Sequence, residues 1–282
     1  MTVGASPPAR VAFQGEPGAY SEEAVIQLCG EVATMPFAHL AEVFDAVASG
    51  RADRGVVPVE NSQAGSINET YDLLLAHDLV IGAEYDLRVR HCLLALPGQT
   101  LTEIARVYSH PQALAQCEVY LKRLGVEIVP YYDTAGSAKM IAEERRTRCA
   151  AIASRRAAVL YRLDILAEDI ETNPNNYTRF LEIGPGPAPR TARSKTSVVC
   201  TVRNRPGALY RVLGALASRQ INMAKIESRA GRTRPWEYVF YIDFDGHVDD
   251  EEVGAALAEM RGYSSMLRVL GSYPAVPGRG IV

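Results

Sequence analysis

The sequence predicts an α/β protein in two parts, a larger one with mostly parallel strands and a smaller one in the order βαββαβ. Three observations carry this. Up to residue 183, short apolar runs alternate with segments of helical period, the pattern of strands covered by helices. Residues 184–195, GPGPAPRTARSK, hold three Pro and two Gly with almost nothing apolar, a composition that cannot bury itself and marks a linker. Beyond it, Leu209, Val212, Leu213 and Leu216 fall at i, i+3, i+4 and i+7, and Val253, Ala256, Leu257 and Met260 repeat the spacing, so two helices each offer one apolar face.

Taken in order, residues 1–8 form a flexible lead-in, RVAFQ (10–14) a strand, 20–29 and 41–50 helices, RGVVPVE (54–60) a buried strand and 66–77 a helix. LRVRHCLLAL (87–96), stopped by Pro97 and Gly98, reads as one long strand that opens a second lobe. The rhythm restarts there with RVYSH (106–110), helix 111–124, VEIVPYY (126–132), helix 135–145, CAAIAS (149–154) and helix 155–161. The last strand, 178–183, returns to the first lobe, giving lobe one as about 9–86 plus 172–183 and lobe two as about 87–171. After the linker come strand 196–202, helix 207–219, strands 223–228 and 237–244, helix 250–261 and strand 267–273, in a domain of residues 196–275 followed by a tail, 276–282. Two one-sided helices on one face of a four-stranded antiparallel sheet in this order make a ferredoxin-like arrangement.

At 282 residues, 48% of them hydrophobic, the chain can build two real cores. A net charge of −3, with Lys and Arg dispersed, favours neither nucleic acid nor an anionic membrane and leaves a small molecule as the expected partner. The five cysteines are far apart, odd in number and form no C-x-x-C pair, so neither a disulfide framework nor a zinc site is indicated, and they read as buried residues of a reducing cytoplasm. The N-terminus lacks the apolar stretch of a signal peptide and no later run has the length of a membrane span. No G-x-G-x-x-G or G-K-[ST] motif occurs, so no nucleotide is expected.

Chemistry is expected where strands run into helix N-termini, whose unpaired N–H groups attract anions. Four such junctions are polar: QGEPGAYS (14–21), VENSQAGS (59–66), SHPQA (109–113) and DTAGSA (133–138). Three place Gly just before Ser at a helix start (Gly18 and Ser21, Gly65 and Ser66, Gly136 and Ser137), which suits carboxylates, although the same residues also serve simply as turns and caps. Glu60 and Asn61 stand at a cleft rim with acceptor and donor capacity, or else pair with a base and cap a helix. Pro111 fits the first helical position, leaving Gln112 as the hydrogen-bonding group in preference to His110 as a base.

GEPGAYS, PVENSQAGSI, SHPQALAQC, DTAGSA and NNYTRF, in that order and followed by NRPGAL and KIESR, resemble prephenate dehydratase with a C-terminal ACT domain. The resemblance implies a two-lobed catalytic region like a type II periplasmic binding protein, and a reaction taking prephenate to phenylpyruvate, water and carbon dioxide without a cofactor. It implies Thr178 as the proton donor, with Glu60, Asn61 and Gln112 beside it, and a substrate-binding set of Ser21, Ser62, Gly65, Ser66, Ser109, Thr134, Ala135, Gly136, Ser137, Arg179 and Phe180. Taken alone, Phe180 is most simply core, and strand alternation turns Arg179 away from Thr178. By the same resemblance, Asn204, Pro206, Gly207, Ala208 and Leu209 with Glu227, Ser228 and Arg229 form a phenylalanine pocket between paired ACT domains. A homo-oligomer is therefore expected, a tetramer built as a dimer of dimers. The family usually has Pro after ESR, whereas Ala230 stands here. Two alternatives stay open: arogenate as the substrate, or a catalytically silent amino-acid sensor on the same frame.

Overall fold

The computed structural model describes residues 8–202, 205–231 and 238–276. The expected lead-in, apart from residue 8, the tail from 277 and Asn204 lie outside them. The chain gathers into two compact units, residues 1–71 with 85–180 and residues 72–84 with 181–282.

The first unit is built from β1 (Arg10–Gln14), α1 (Tyr20–Cys29), β2 (Ala33–Phe37), α2 (Leu40–Ala48), β3 (Arg54–Asn61), β4 (Gly65–Ser66) and the start of α3 (Asn68–Ala76). The end of β5 (Val80–Arg88) follows, then β6 (Cys92–Ala95), β7 (Arg106–Ser109), α4 (Pro111–Gln116), α5 (Glu118–Leu124), β8 (Glu127–Pro130) and α6 (Thr134–Glu143). It closes with β9 (Cys149–Ala153), α7 (Arg155–Tyr161), β10 (Asp164–Ala167) and the start of β11 (Tyr177–Gly184). One sheet runs β2-β1-β3-β11-β5 with β4 on β3, the other β10-β6-β9-β7-β8. Strand β1 is parallel to both neighbours, as is β7, but β6 runs antiparallel to β9 and β10. The expectation of mostly parallel strands therefore holds for β2-β1-β3 and for β9-β7-β8 and fails for β10-β6-β9.

The long strand expected over 87–96 is two strands in different sheets, joined by a crossing at 89–91. Val89 and His91 are buried, and their N–H groups bond to Asn176 O (2.8 Å) and Glu171 Oε2 (3.0 Å). The apolar pattern thus continued through a buried crossing. A second crossing, between β10 and β11, completes a two-lobed region of the type II periplasmic-binding-protein kind. The helix expected over 111–124 breaks at Cys117 into α4 and α5. Strand β2, with Pro36 at the sheet edge, and the edge strand β10 carry too little alternation to have been read from sequence.

The second unit holds β12 (Ser194–Val202), α8 (Ala208–Ala217), β13 (Met223–Ala230), β14 (Tyr238–Asp245), α9 (Glu251–Tyr263) and β15 (Ser264–Pro274). Its strand order is β13-β14-β12-β15, every pair antiparallel, which is the ferredoxin-like βαββαβ arrangement. Val212, Leu216, Val253, Leu257 and Met260 pack on Val198, Cys200, Ile242 and Phe244, so the two helices cover one sheet face as their spacing required. Residues 72–84 meet the other face. Lys195 forms an ion pair with Glu84 over 2.5 Å, with side chains 2% and 0% exposed, and Arg268 donates to the carbonyls of Leu74 and His77. A Cβ on Gly271 would lie 2.3 Å from Ile81 O. The linker is accordingly shorter than expected. Ser194 and Lys195 belong to β12, because the lysine's charge is matched by a buried carboxylate that no local pattern reveals.

Among the described residues, no helix is long and apolar enough to cross a membrane. Four of the five cysteines are buried and Cys29 is half-buried, and none of them is in a disulfide. Burial pushes the Cys92 and Cys200 thiols up to about 11.

Candidate active site

The ends of β3 and β11 bring Asn61 and Thr178 together. Asn61 Oδ1 accepts from the backbone N–H groups of Gln63 (3.0 Å) and Ala64 (2.9 Å), which identifies it as the oxygen. Its Nδ2 therefore points the other way and donates to Thr178 Oγ1 (3.0 Å), Asn176 Oδ1 (2.8 Å) and Tyr177 O (3.2 Å). Thr178 is 9% exposed, and with Asn61 donating into its oxygen its own proton is free to be given elsewhere.

The network runs further than the sequence suggested. Asn176, fully buried, donates from Nδ2 to Gln116 Oε1 (3.0 Å), and the same oxygen lies 2.8 Å from His91 Nε2. His91 Nδ1 is 2.9 Å from the Tyr20 hydroxyl, which also reaches Arg90 O at 2.7 Å. Gln116, Asn176, His91 and Tyr20 were all missed. The signal available for Gln116 was its place one helical turn after Gln112 in SHPQALAQC. Gln112 itself is exposed, and its backbone N–H bonds to the capping His110 Nδ1 (3.2 Å). Glu60 is half-buried and, as the neighbour of Asn61 in β3, leaves the strand on the opposite side.

The expected anion nests are largely filled by the chain's own carboxylates. At α6, Asp133 Oδ1 accepts from Gly136 N (2.7 Å) and Ser137 Oγ donates to Asp133 O (2.8 Å). Ala135 and Ser137 are fully buried, and the Tyr132 ring lies where a Cβ on Gly136 would be, 2.7 Å from its nearest atoms. Burial raises the Asp133 pKa, and the charge of Glu16 adds to it. At α1, Gly18 N donates to Glu22 Oε2 (2.8 Å). Burial opposes the Glu22 charge, but bonds from Arg156, Gly18 N and Thr34 outweigh it and hold its pKa below the ordinary value. The dipole and free N–H groups of each helix start call for a negative partner, and Asp133 and Glu22 are near enough in sequence to supply it.

Several residues expected to bind substrate have side chains engaged within the chain. Ser109 is fully buried and donates to Ile152 O (2.6 Å). Ser62 donates to Asn175 O and accepts from Tyr177 N, both at 3.0 Å, tying the loop after β3 to the start of β11. Phe180 packs with Val11, Phe13, Val25 and Val56 in the first lobe's core, and Arg179 is 3% exposed. Gly65, at φ +82°, is exposed, while Ser21, Ser66 and Thr134 are half-buried.

The GEPGAYS loop fastens lobe one to lobe two. Ser154 Oγ donates to Gly18 O (2.7 Å), Tyr161 Oη to Pro17 O (2.6 Å) and Arg156 Nε to Glu22 Oε2 (2.7 Å). Glu16 takes bonds from Tyr132 Oη (2.9 Å) and Lys139 Nζ (3.0 Å). Gly18 is needed here: its φ is +91°, and a Cβ would come within 3.0 Å of Ala157 Cα.

In the second unit, Pro206 and Gly207 are exposed, Ala208 is buried and Leu209 half-buried at the start of α8, with Gly207 at φ +78°. Along β13, Glu227 and Arg229 share one face and Ser228 the other. Arg229 is paired with Asp72 at 2.6 and 3.3 Å. Ala230 continues the pairing of β13 with Tyr238, which a proline N could not support by donating.

The polar chain ending on Thr178 lies in a two-lobed α/β region, and a ferredoxin-like domain follows it in sequence. The sequence pattern of the prephenate dehydratase family matches residues 11–188 and that of the ACT domain residues 196–262. The chain belongs to the prephenate dehydratase family. It is 45% identical to the chloroplastic arogenate dehydratase/prephenate dehydratase 2 of Arabidopsis thaliana, over 94% of this chain and 72% of that one. Among solved structures it is similar to prephenate dehydratase from Arthrobacter aurescens in complex with L-Phe (35% identity, TM-score 0.87, 94% of this chain and 90% of that one). It is also similar to GqqA, described as a novel type of quorum quenching acylase (38% identity, TM-score 0.89, 96% and 100%).

Proposed function

We propose that this protein converts prephenate to phenylpyruvate, water and carbon dioxide, with Thr178 as the proton donor and L-phenylalanine as the effector of the ACT domain. The observation that carries the reading is the donation from Asn61 Nδ2 into Thr178 Oγ1, which leaves the hydroxyl's own proton available for donation. In the reaction the bond to the ring carboxylate breaks, its electron pair enters the ring, and the ring hydroxyl leaves with the proton of Thr178 as water. A threonine is a weak acid. The amide proton on its oxygen favours the negative charge that develops there, the role of an oxyanion-hole donor.

Arogenate is a second reading, favoured by the double name of the Arabidopsis relative. The effector reading is supported by the L-Phe complex of the Arthrobacter protein. A homo-oligomer is supported by β13, an edge strand whose Met223 and Ile226 are 37% and 39% exposed. We extend this to a dimer of dimers.

The test is an assay of purified protein with prephenate and arogenate, following phenylpyruvate enol absorbance and phenylalanine. Turnover of prephenate supports the proposal, and turnover of arogenate alone selects the second reading. Hydrolysis of acyl amides with both substrates untouched would defeat both.

A further inference from the structure

The chain from Asn61 to His91 has a direction that can be worked out from its ends. Backbone N–H groups cannot reverse, so Gln63 N and Ala64 N fix Asn61 Oδ1 as acceptor and Nδ2 as donor. Asn176 must then offer its oxygen to Asn61 and its Nδ2 to the next group, which makes the Gln116 atom 3.0 Å away an oxygen. That oxygen is 2.8 Å from His91 Nε2, so Nε2 carries a proton. The neutral ring then has Nδ1 as its acceptor, 2.9 Å from the Tyr20 hydroxyl, whose one proton it shares with Arg90 O at 2.7 Å.

The ring is held for this. His91 is 2% exposed, its backbone N–H bonds to Glu171 Oε2, its carbonyl accepts from Ile170 N (3.2 Å), and Tyr20 meets its ring edge-on at 5.6 Å between centroids. Without a donor at Nε2, the Gln116 amide could turn over and present its NH2 to Asn176, whose own NH2 would then be set against Asn61 Nδ2, a donor that the backbone holds in place. With the donor in place, a reversed Gln116 would set N–H against N–H at two contacts at once.

We propose that His91, protonated at Nε2, is a positioning residue that fixes the Gln116 amide and through it keeps Asn176 Oδ1 as the acceptor beside Asn61 Nδ2, the group that donates to the Thr178 hydroxyl. The catalytic part of this rests on the reading of Thr178 as donor; the tautomer does not. His91→Phe keeps a ring and removes the donor, and His91→Gln returns an amide N–H near the Nε2 position.

Steady-state kinetics on whichever substrate the wild type turns over should show His91→Phe lowering kcat about tenfold with KM within about twofold, and His91→Gln recovering to within about threefold of wild type. A folded His91→Phe with wild-type kcat, or equal losses in both variants, would overturn the proposal. Should the Phe variant not fold, the 15N signals of histidine-labelled wild type decide, with the His91→Gln spectrum assigning the His91 pair. A protonated Nε2 supports the proposal and an unprotonated one ends it. A wild type inactive on both substrates would sink the dehydratase reading, while the tautomer measurement would still stand.

Discussion

Asn61 donates to the Thr178 hydroxyl oxygen over 3.0 Å while two backbone N–H groups hold its own carbonyl, so the pair can be read in one direction only. Asn61→Asp puts an acceptor where the donor was and turns the threonine proton inward. We expect kcat to fall by about 10²-fold or more, the loss typical of one oxyanion-type donor. Wild-type kcat in a folded Asn61→Asp protein would refute the assignment.

Glu22 binds lobe one's first helix start to Arg156 of lobe two from a side chain only 6% exposed. Its pKa is held below the ordinary 4.5, so the native state gives up this proton more readily than the unfolded chain does. The stabilisation is complete above the unfolded value and is lost as pH falls through the lower, native one. Glu22→Gln should cost about 1.5–3 kcal/mol near neutrality and flatten the acid limb of a stability curve below that value. Urea titrations across pH would show it; an unchanged acid limb would contradict the pairing.

Gly271 leaves room for the Ile81 backbone, since a Cβ would sit 2.3 Å from its oxygen. Gly271→Ala should therefore destabilise by about 1–3 kcal/mol, the range of overpacking. A melting temperature equal to wild type would show that the close approach is not required.

Asp72 lies in α3, the helix that follows the loop after Asn61, and pairs with Arg229 at the end of the KIESR strand. If phenylalanine acts through this strand, Asp72→Asn should leave uninhibited turnover near wild type and shift the phenylalanine response at least severalfold. Dose–response curves that overlay with wild type would show that the pair plays no part in the effect.

The sequence revealed what depends on local pattern. The one-sided spacing of Leu209 to Leu216 and Val253 to Met260 specified the ferredoxin-like domain, and the strand RVAFQ and helix 20–29 stand where the periodicity put them. Hidden were features set by distant partners. His91 reads as part of a strand until Gln116 and Tyr20 surround it, and Lys195 reads as linker until Glu84 meets it. At two of the junctions expected to receive an anion, the carboxylates of Asp133 and Glu22 already take backbone N–H groups, those of Gly136 and Gly18.

We propose that the Thr178 hydroxyl delivers the proton that turns the departing ring hydroxyl into water. Thr178→Val keeps the shape and removes only that group, and the measurement is kcat and KM for phenylpyruvate formation from prephenate beside the wild type. We predict kcat lower by about 10²-fold or more with KM changed little, the signature of an interaction made in the transition state. Phenylpyruvate formation by Thr178→Val at close to the wild-type rate would contradict the account.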